Sequence, residues 1–402
     1  MNKSRYTLSL AILYIIFSAN VFAENTVNQI LTSVLNNNTD LKAYTMQLKR
    51  DSIEISATNY LEDPSAEFEY LFGDKSVGNK WAIGISQSIE WPGIYGSRRK
   101  ANKSKLSALS YSANMKRLEI LYQTKLLCLQ LVNINKQIAI QQNVYNNYNE
   151  LYDSYSIAFD KNEVTILDIN KLRIELANTA QQLELLKTSR DEIVGNLISL
   201  NGGVELNATD INNATEYPCE DFLPLDEYIA AYYQYDPESG YYDEIQNAYK
   251  AEISVARMGW FPRFDIGFKY SNEIGDGFTG FTIGTSIPLF SNRKKSQAAK
   301  AQEISNLFTA QSIRNSNEIR IKTTFAKAVS LKSQLATYQT ALEHDDNHKL
   351  LQKALQSRQM SLLDYIQESI YFLNAQIRMN EIEYEYQSTM AELNKYSILP
   401  QF

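Results

Sequence analysis

His344 and His348 are the first residues whose type and spacing could do chemistry. Four apart on a helix, with Asp345 and Asp346 between them, they would share one face, as metal ligation requires. The plain alternative is a polar surface near a solvated helix end, because Asp345 falls on a row that should be apolar. These are the only histidines in 402 residues, which leaves most hydrolytic and metal-centred active sites little to work with. Cys128 and Cys219 flank no ligand-like spacing and read as two free thiols, with a single bridge between them the alternative. The methionines are scattered and read as core filling, with no soft-metal cluster. There is no Gly-x-x-x-x-Gly-Lys-Ser/Thr loop, so no nucleotide site supplies energy. No cofactor is called for, and the chain reads as a passive protein and not an enzyme.

The elements that would position such residues begin with an address. Lys3 and Arg5 precede the apolar run Leu8 to Phe17, and Val21-Phe22-Ala23 offers small residues where a signal peptidase reads. Residues 1–23 are therefore expected to be a signal peptide, with the mature chain starting at Glu24. A retained anchor is the alternative, but the run is shorter than the roughly 20 residues a spanning helix needs. The composition is 44% hydrophobic and 21% charged with net charge −7, which fits a folded chain and excludes a general nucleic-acid binder.

Helix breakers are scarce over long tracts. No proline occurs from Gly93 to Tyr217 or from Leu289 to Leu399, and no glycine follows Gly284. Interior proline costs about 3 kcal/mol and glycine about 1 kcal/mol, so these tracts predict very long helices. Leu127, Leu131, Ile134, Ile138, Gln141, Tyr145, Tyr148, Tyr152, Tyr155 and Phe159 alternate steps of four and three, a coiled-coil seam whose only polar member is Gln141. A second seam runs from Ile169 to Leu200, interrupted by Thr179 and Arg190. Long helices are expected from about Ser97 to Phe159 and from about Lys294 to Gln356. Shorter ones are expected near Thr26 to Tyr60, Thr165 to Leu200, Leu225 to Met258 and Leu362 to Tyr396.

Between the helical tracts the period is two. Ala66, Phe68, Tyr70 and Phe72, then Trp81, Ile83, Ile85 and Ile89, alternate with polar or small residues. So do Phe264, Ile266, Phe268 and Tyr270, then Phe281, Ile283 and Ile287. These are two hairpins, at about 64–92 and 262–290. Pro64 stands to Pro262 as Ser88-Ile89 stands to Ser286-Ile287, at one constant offset. The chain is one unit written twice: a first repeat over 24–203, an inter-repeat segment over 204–224 and a second repeat over 225–402. Tip turns fall at about 160–168 and 356–364.

Four strands with an apolar face cannot close a barrel, and in lipid two open edges would cost on the order of tens of kcal/mol. Three copies give twelve strands, with the apolar alternate residues facing lipid: Phe68, Tyr70, Trp81, Ile83, Phe264, Ile266, Phe268, Phe281 and Ile283. Trp81, Trp91, Tyr70 and Trp260 then sit where an aromatic girdle belongs. The basic runs Arg98 to Lys105 and Arg293 to Lys295 follow the strands and suit the membrane interface better than nucleic acid.

This ensemble resembles the TolC family of outer-membrane efflux proteins. The signal sequence, the duplicated helix-hairpin-helix unit, the motifs at Pro64 and Pro262, Ser286-Ile287-Pro288-Leu289-Phe290 and the Leu167-Asp168 and Leu363-Asp364 turns together carry the likeness. The run Ser361 to Glu368 is most similar to the branch serving heavy-metal efflux pumps of the cobalt-zinc-cadmium or copper-silver type. The resemblance implies a mostly α fold with a small antiparallel β part, assembled as a homotrimeric twelve-stranded barrel on a long α-helical coiled-coil barrel. It implies an outer-membrane duct of a tripartite system that extends into the periplasm and conducts heavy-metal cations or drugs. Its partners would be a periplasmic adaptor, an inner-membrane pump and outer-membrane lipid, with no nucleic acid.

A type I protein-secretion component would have the same architecture, and a periplasmic coiled-coil tether or adaptor is the reading of another class. At the tip turns the family places a glycine six residues before the turn aspartate. Here those positions are Asn162, before Asp168, and Arg358, before Asp364. Arginine tolerates the left-handed conformation poorly, so the second turn is expected to bend differently. In relatives the second aspartate forms an entrance ring with another acid three residues on. That position is Gln367 here, which leaves Asp364 as one carboxylate per subunit. Asp168 and Asp364 could equally serve as helix caps.

Overall fold

A computed structural model describes residues 26–75, 78–212, 214–273, 275–342 and 347–399. The expected signal peptide lies outside the described residues, as do His344, Asp345, Asp346 and the side chain of His348. The described chain is helical apart from one antiparallel sheet. Helices α1 (residues 26–37) and α2 (Thr39–Ala57) lead into strands β1 (Ser65–Leu71) and β2 (Lys80–Ile89). Helices α3 (Pro92–Asp160), α4 (Ile166–Leu200), α5 (Ala208–Asn212), α6 (Leu225–Tyr235) and α7 (Pro237–Met258) follow. Strands β3 (Arg263–Glu273) and β4 (Asp276–Ser286) precede α8 (Lys295–Leu342), α9 (Asn347–Gln356) and α10 (Leu362–Leu393).

Two differences from the expected elements have local causes. Helix α3 runs for 69 residues and starts at Pro92, ahead of the expected Ser97. Proline suits a first helical position, where its missing N–H leaves no bond unmade. The expected helices Thr26 to Tyr60 and Leu225 to Met258 are each two helices, interrupted at Asn38 and Asp236. The Asn38 carboxamide oxygen accepts from Leu41 N at 2.7 Å while its Nδ2 donates to Leu200 O at 2.7 Å. The Asp236 carboxylate accepts from Glu238 N and Ser239 N, and Pro237 follows it. Side-chain capping at both places outcompetes the next helical bond.

The chain forms two compact units. One comprises the residues up to Lys42, Lys116–Tyr235 and those from Glu318 onward. Its core draws on α1 (Leu31, Val34), α3 (Leu121, Leu131), α4 (Leu197), α6 (Tyr228, Tyr232) and α10 (Met390). Two of the three polar interruptions of the seams meet inside it: Gln141 and Thr179 are both buried, and Gln141 Nε2 donates to Thr179 O at 3.5 Å. This pair therefore fixes register with its own donors bonded, Thr179 Oγ1 donating to Glu175 O, whereas the buried Nε of Arg190 has no partner among the described residues. Cys128 is buried in this core and Cys219 is exposed, and both are free thiols.

The other unit comprises Ala43–Met115 and Asp236–Asn317 and holds the sheet. Its strand order is β1-β2-β3-β4, all antiparallel. Among the described residues β1 and β4 each have one free edge.

Candidate functional site

The register of the sheet decides what its two faces are. Phe68 lies opposite Ile83, Ile83 opposite Tyr270, and Ala66, Ile85, Phe268 and Phe281 form the next row. Ile266 pairs with Ile283. Residues directly opposite share a face, so all three rows fall on one side of the sheet. That side is bare: Phe281 is 85% exposed, Ile283 81% and Phe68 68%. The other side carries Glu67, Glu69, Ala82, Gly84, Ser86, Ser88, Gly267, Lys269, Thr282 and Gly284, which are small or charged, and near the hairpin loops the exposed Leu71 and Phe278. Its long charges pair across small residues. Lys269 reaches Glu69 at 2.8 Å over the Ala82–Gly84 stretch, and Lys80 pairs with Glu273.

Aromatic side chains bound the apolar face at both ends. Trp81 lies 5.4 Å from Tyr270, and Tyr70 4.9 Å from Phe72, at the hairpin-loop end. Trp91 stacks on Phe261 at 4.8 Å, near Phe264, at the end where the helices join. From Trp81 to Ile89 is about 27 Å along the strand, which a tilt of 35–45° shortens to roughly 20 Å. The apolar band of an outer-membrane barrel is about 25 Å tall, a few ångströms more than these rows supply, so the flanking aromatic residues have to complete it. No described helix is long and apolar enough to cross a membrane.

The second set of candidate residues sits on two helical turns at one end of the other unit. The turns share one geometry, contrary to the expectation for Arg358. Asn162 and Arg358 stand at φ 59° and 58°. Glu163 N donates to Ala158 O and Asn162 N to Phe159 O; Gln359 N donates to Ala354 O and Arg358 N to Leu355 O. This doubly bonded helix end demands a left-handed residue, and it overrides the side-chain preference of arginine. The two turns are also joined, with the Arg358 guanidinium 3.6 Å from the Glu163 carboxylate. Tyr148, Leu151, Leu172, Leu355, Leu362, Tyr365 and Ile366 form the core beneath them.

The left-handed conformation costs a non-glycine residue about 1–2 kcal/mol, whereas the exposed Arg358–Glu163 pair is worth at most about 1 kcal/mol. Arg358→Gly is therefore expected to slow amide exchange around the second turn, and hydrogen exchange of residues 354–362 checks it. Unchanged or faster exchange there would show that the ion pair outweighs the backbone strain.

Thr165 and Ser361 cap the helices that follow, and the turn aspartates are the third residues of those helices. Thr165 Oγ1 accepts from Asp168 N and donates to Asp168 Oδ2 at 2.7 Å, while Thr165 N donates to the same carboxylate at 3.2 Å. The hydroxyl bond from Thr165 holds the Asp168 carboxyl below its usual range, with the Thr165 backbone N–H and Lys171 adding to it against a desolvation that opposes them. Ser361 Oγ likewise donates to Asp364 Oδ2 at 2.6 Å and accepts from Asp364 N. Capping uses one oxygen of Asp364, and the residue remains exposed with Gln367 beside it. Glu368 is exposed as well. One turn after Asp364, it shares that helix face, a spacing of four that a search three residues on overlooks. Among the described residues no cluster of His, Cys, Asp and Glu could hold a metal ion.

No family model and no curated protein sequence matches the chain. Solved structures do. The Campylobacter jejuni CmeC outer membrane channel superposes with TM-score 0.76 at 18% identity, over 92% of this chain and 85% of that one. The Neisseria gonorrhoeae MtrE outer membrane channel, in its open state, gives 0.69 at 15% identity over 92% and 88%. The outer membrane protein VceC of Vibrio cholerae gives 0.71 at 12% identity over 94% and 98%. The chain has the fold of these outer-membrane proteins. Mostly helical, with one small antiparallel sheet, it matches the fold class read from its sequence.

Proposed function

We propose that this chain is a TolC-type outer-membrane channel, the passive duct of a tripartite efflux system. The observation that carries the reading is the sheet. It has one largely apolar face, interrupted at Gln87, Thr279 and Thr285 and bounded by aromatic residues, and an opposite face mostly of small and charged residues, in a protein whose fold is that of outer-membrane channels. A tether or adaptor would have no use for a bare face of this kind. Three copies contribute twelve strands, and the small residues Gly84, Ser86, Gly267 and Gly284 then line a wet lumen. The residues proposed to face lipid are those of the apolar rows.

The two helical turns form the periplasmic entrance. Leu167 and Leu363 are exposed beside the turn aspartates and suit docking on a periplasmic adaptor, which would link the duct to an inner-membrane pump. Asp364 and Glu368 from three subunits would place two rings of carboxylates at the entrance and favour cations. The duct carries whatever that pump delivers, with heavy-metal cations the cargo best suited to acidic rings.

The test is Asp364→Ala in the trimer reconstituted into planar bilayers. Three carboxylates leave together, and losing about 1.4 kcal/mol in total weakens block by a trivalent cobalt ammine about tenfold. Conductance of monovalent cations should change with it. Identical conductance and identical block would remove Asp364 from the entrance.

A further inference from the structure

We propose that β4 of one copy pairs with β1 of the next in one definite register: Thr282 opposite Leu71, Ile283 opposite Tyr70, Gly284 opposite Glu69, Thr285 opposite Phe68 and Ser286 opposite Glu67. This rests on the trimeric channel reading and specifies its seam. The template for that seam lies inside the chain. Pro64 and Pro262, Ser88-Ile89 and Ser286-Ile287, and the helix interruptions Asn38 and Asp236 all repeat at the same spacing. The second hairpin is thus the first written again, and β2 meets β3 within the chain as β4 must meet β1 of a neighbour. The internal seam pairs Gly84 with Lys269, Ile85 with Phe268, Ser86 with Gly267, Gln87 with Ile266 and Ser88 with Asp265. Carried over by the repeat spacing, those five pairs become the five proposed ones.

The chemistry of the proposed seam is consistent on both faces. Phe68 and Tyr70 join the apolar face, continuous with Ile283 and Phe281. Glu67 and Glu69 join the polar face beside Ser286 and Gly284, so neither acid meets lipid. Ser286 pairs on its other side with Arg263, which puts the neighbour's Glu67 two strands from a guanidinium across a small residue. Lys269 and Glu69 already make a 2.8 Å ion pair of that kind across β2. One competing register exists. The connection between β3 and β4 leaves two residues between Glu273 and Asp276, against eight between Leu71 and Lys80. Aligning the hairpins on their pairing instead of on the repeated motifs shifts the seam by two residues, and Thr285 then faces Tyr70.

Disulfide trapping separates the two. Directly opposite residues have Cα atoms 4.5–5.5 Å apart, inside the 4.4–6.8 Å range a disulfide accepts, whereas diagonal neighbours lie about 7–8 Å apart. The full chain carries Cys219→Ser. Cys128 stays, because burial pushes its thiol up to about 12 and hides it from exchange. Phe68→Cys with Thr285→Cys, oxidised with diamide in the membrane, should give a covalent ladder that ends at three chains and collapses under reductant. Glu67→Cys with Ser286→Cys should do the same from the opposite face, which guards against one pair failing to assemble. Tyr70→Cys with Thr285→Cys should give little.

A ladder strongest for the Tyr70 pair overturns the register while leaving the channel intact. Absence of any inter-chain disulfide in trimers that still conduct overturns the β4–β1 seam itself. Absence of both trimers and conductance in the wild type sinks the channel reading on which the seam rests.

Discussion

Phe268→Arg is expected to abolish recovery of assembled trimers from the outer membrane. Phe268 lies in the middle row of the sheet, between Ile85 and Phe281, and is half exposed on the apolar face. A charge at the midplane of an outer-membrane barrel costs about 2–4 kcal/mol, falling to about 0–1 kcal/mol near the interfaces. Symmetry places the substitution in the barrel three times, so the assembly loses roughly 6–12 kcal/mol. That is the whole stability of an ordinary domain. The control is Gly280→Arg on the opposite face, where a Cβ meets nothing within 4 Å. It should insert and assemble, and change only conductance. Heat-resistant trimers counted on gels from outer-membrane fractions, with conductance measured for the control, give the readout. If Phe268→Arg assembled normally, the apolar face would not be the lipid face, and the proposed orientation of the barrel would fall.

Much of this arrangement was legible because its signals are periodic. Alternation at two and the four-three seam place side chains on faces whatever the exact ends of an element, and the buried Gln141–Thr179 contact shows that even the polar interruptions of the seams were informative. Helix interruptions were harder. Asp236-Pro237 is a start signal that reads clearly once the flanking periodicity is discounted, but Asn38 has no proline beside it, and its second bond goes to Leu200, 162 residues away. The turn at Arg358 was misjudged for a related reason. Residue preference argues against a left-handed arginine, whereas the pair of helix-terminal bonds and the Ser361–Asp364 cap over-determine the backbone. Glu368 is found from helix geometry and not from the family motif, whose spacing of three leads to Gln367 where a helix face also repeats at four.

The sharpest disagreement between local preference and packing falls on Gly267. Propensity alone favours valine over glycine in a strand by about 1 kcal/mol, and the φ of Gly267 lies outside the left-handed region, so nothing in its backbone requires glycine. Its neighbours do. A Cβ there would stand 2.7 Å from Ile85 O, 2.6 Å from Thr282 Oγ1 and 2.9 Å from Ser86 Cβ. The threonine hydroxyl can rotate away, but the Ile85 carbonyl belongs to β2 and cannot move without opening the β2–β3 ladder. Overpacking of this kind costs typically about 1–3 kcal/mol per site, and β2–β3 is the seam that joins the two hairpins.

Gly267→Val is therefore expected to lower the melting temperature of the trimer and to destabilise each protomer by up to about 2 kcal/mol, reversing the sign that propensity gives. Gly84→Ala isolates the cause. It lies on the same face of the neighbouring strand, where an added Cβ meets atoms at 3.7–3.9 Å, an ordinary contact. It should melt within a degree or two of the wild type. Equal losses at both positions would mean that the lumen face needs small residues for width and not for strand contact. Conductance of the surviving trimers decides between those causes, since a narrowed lumen conducts less even where the sheet is unstrained.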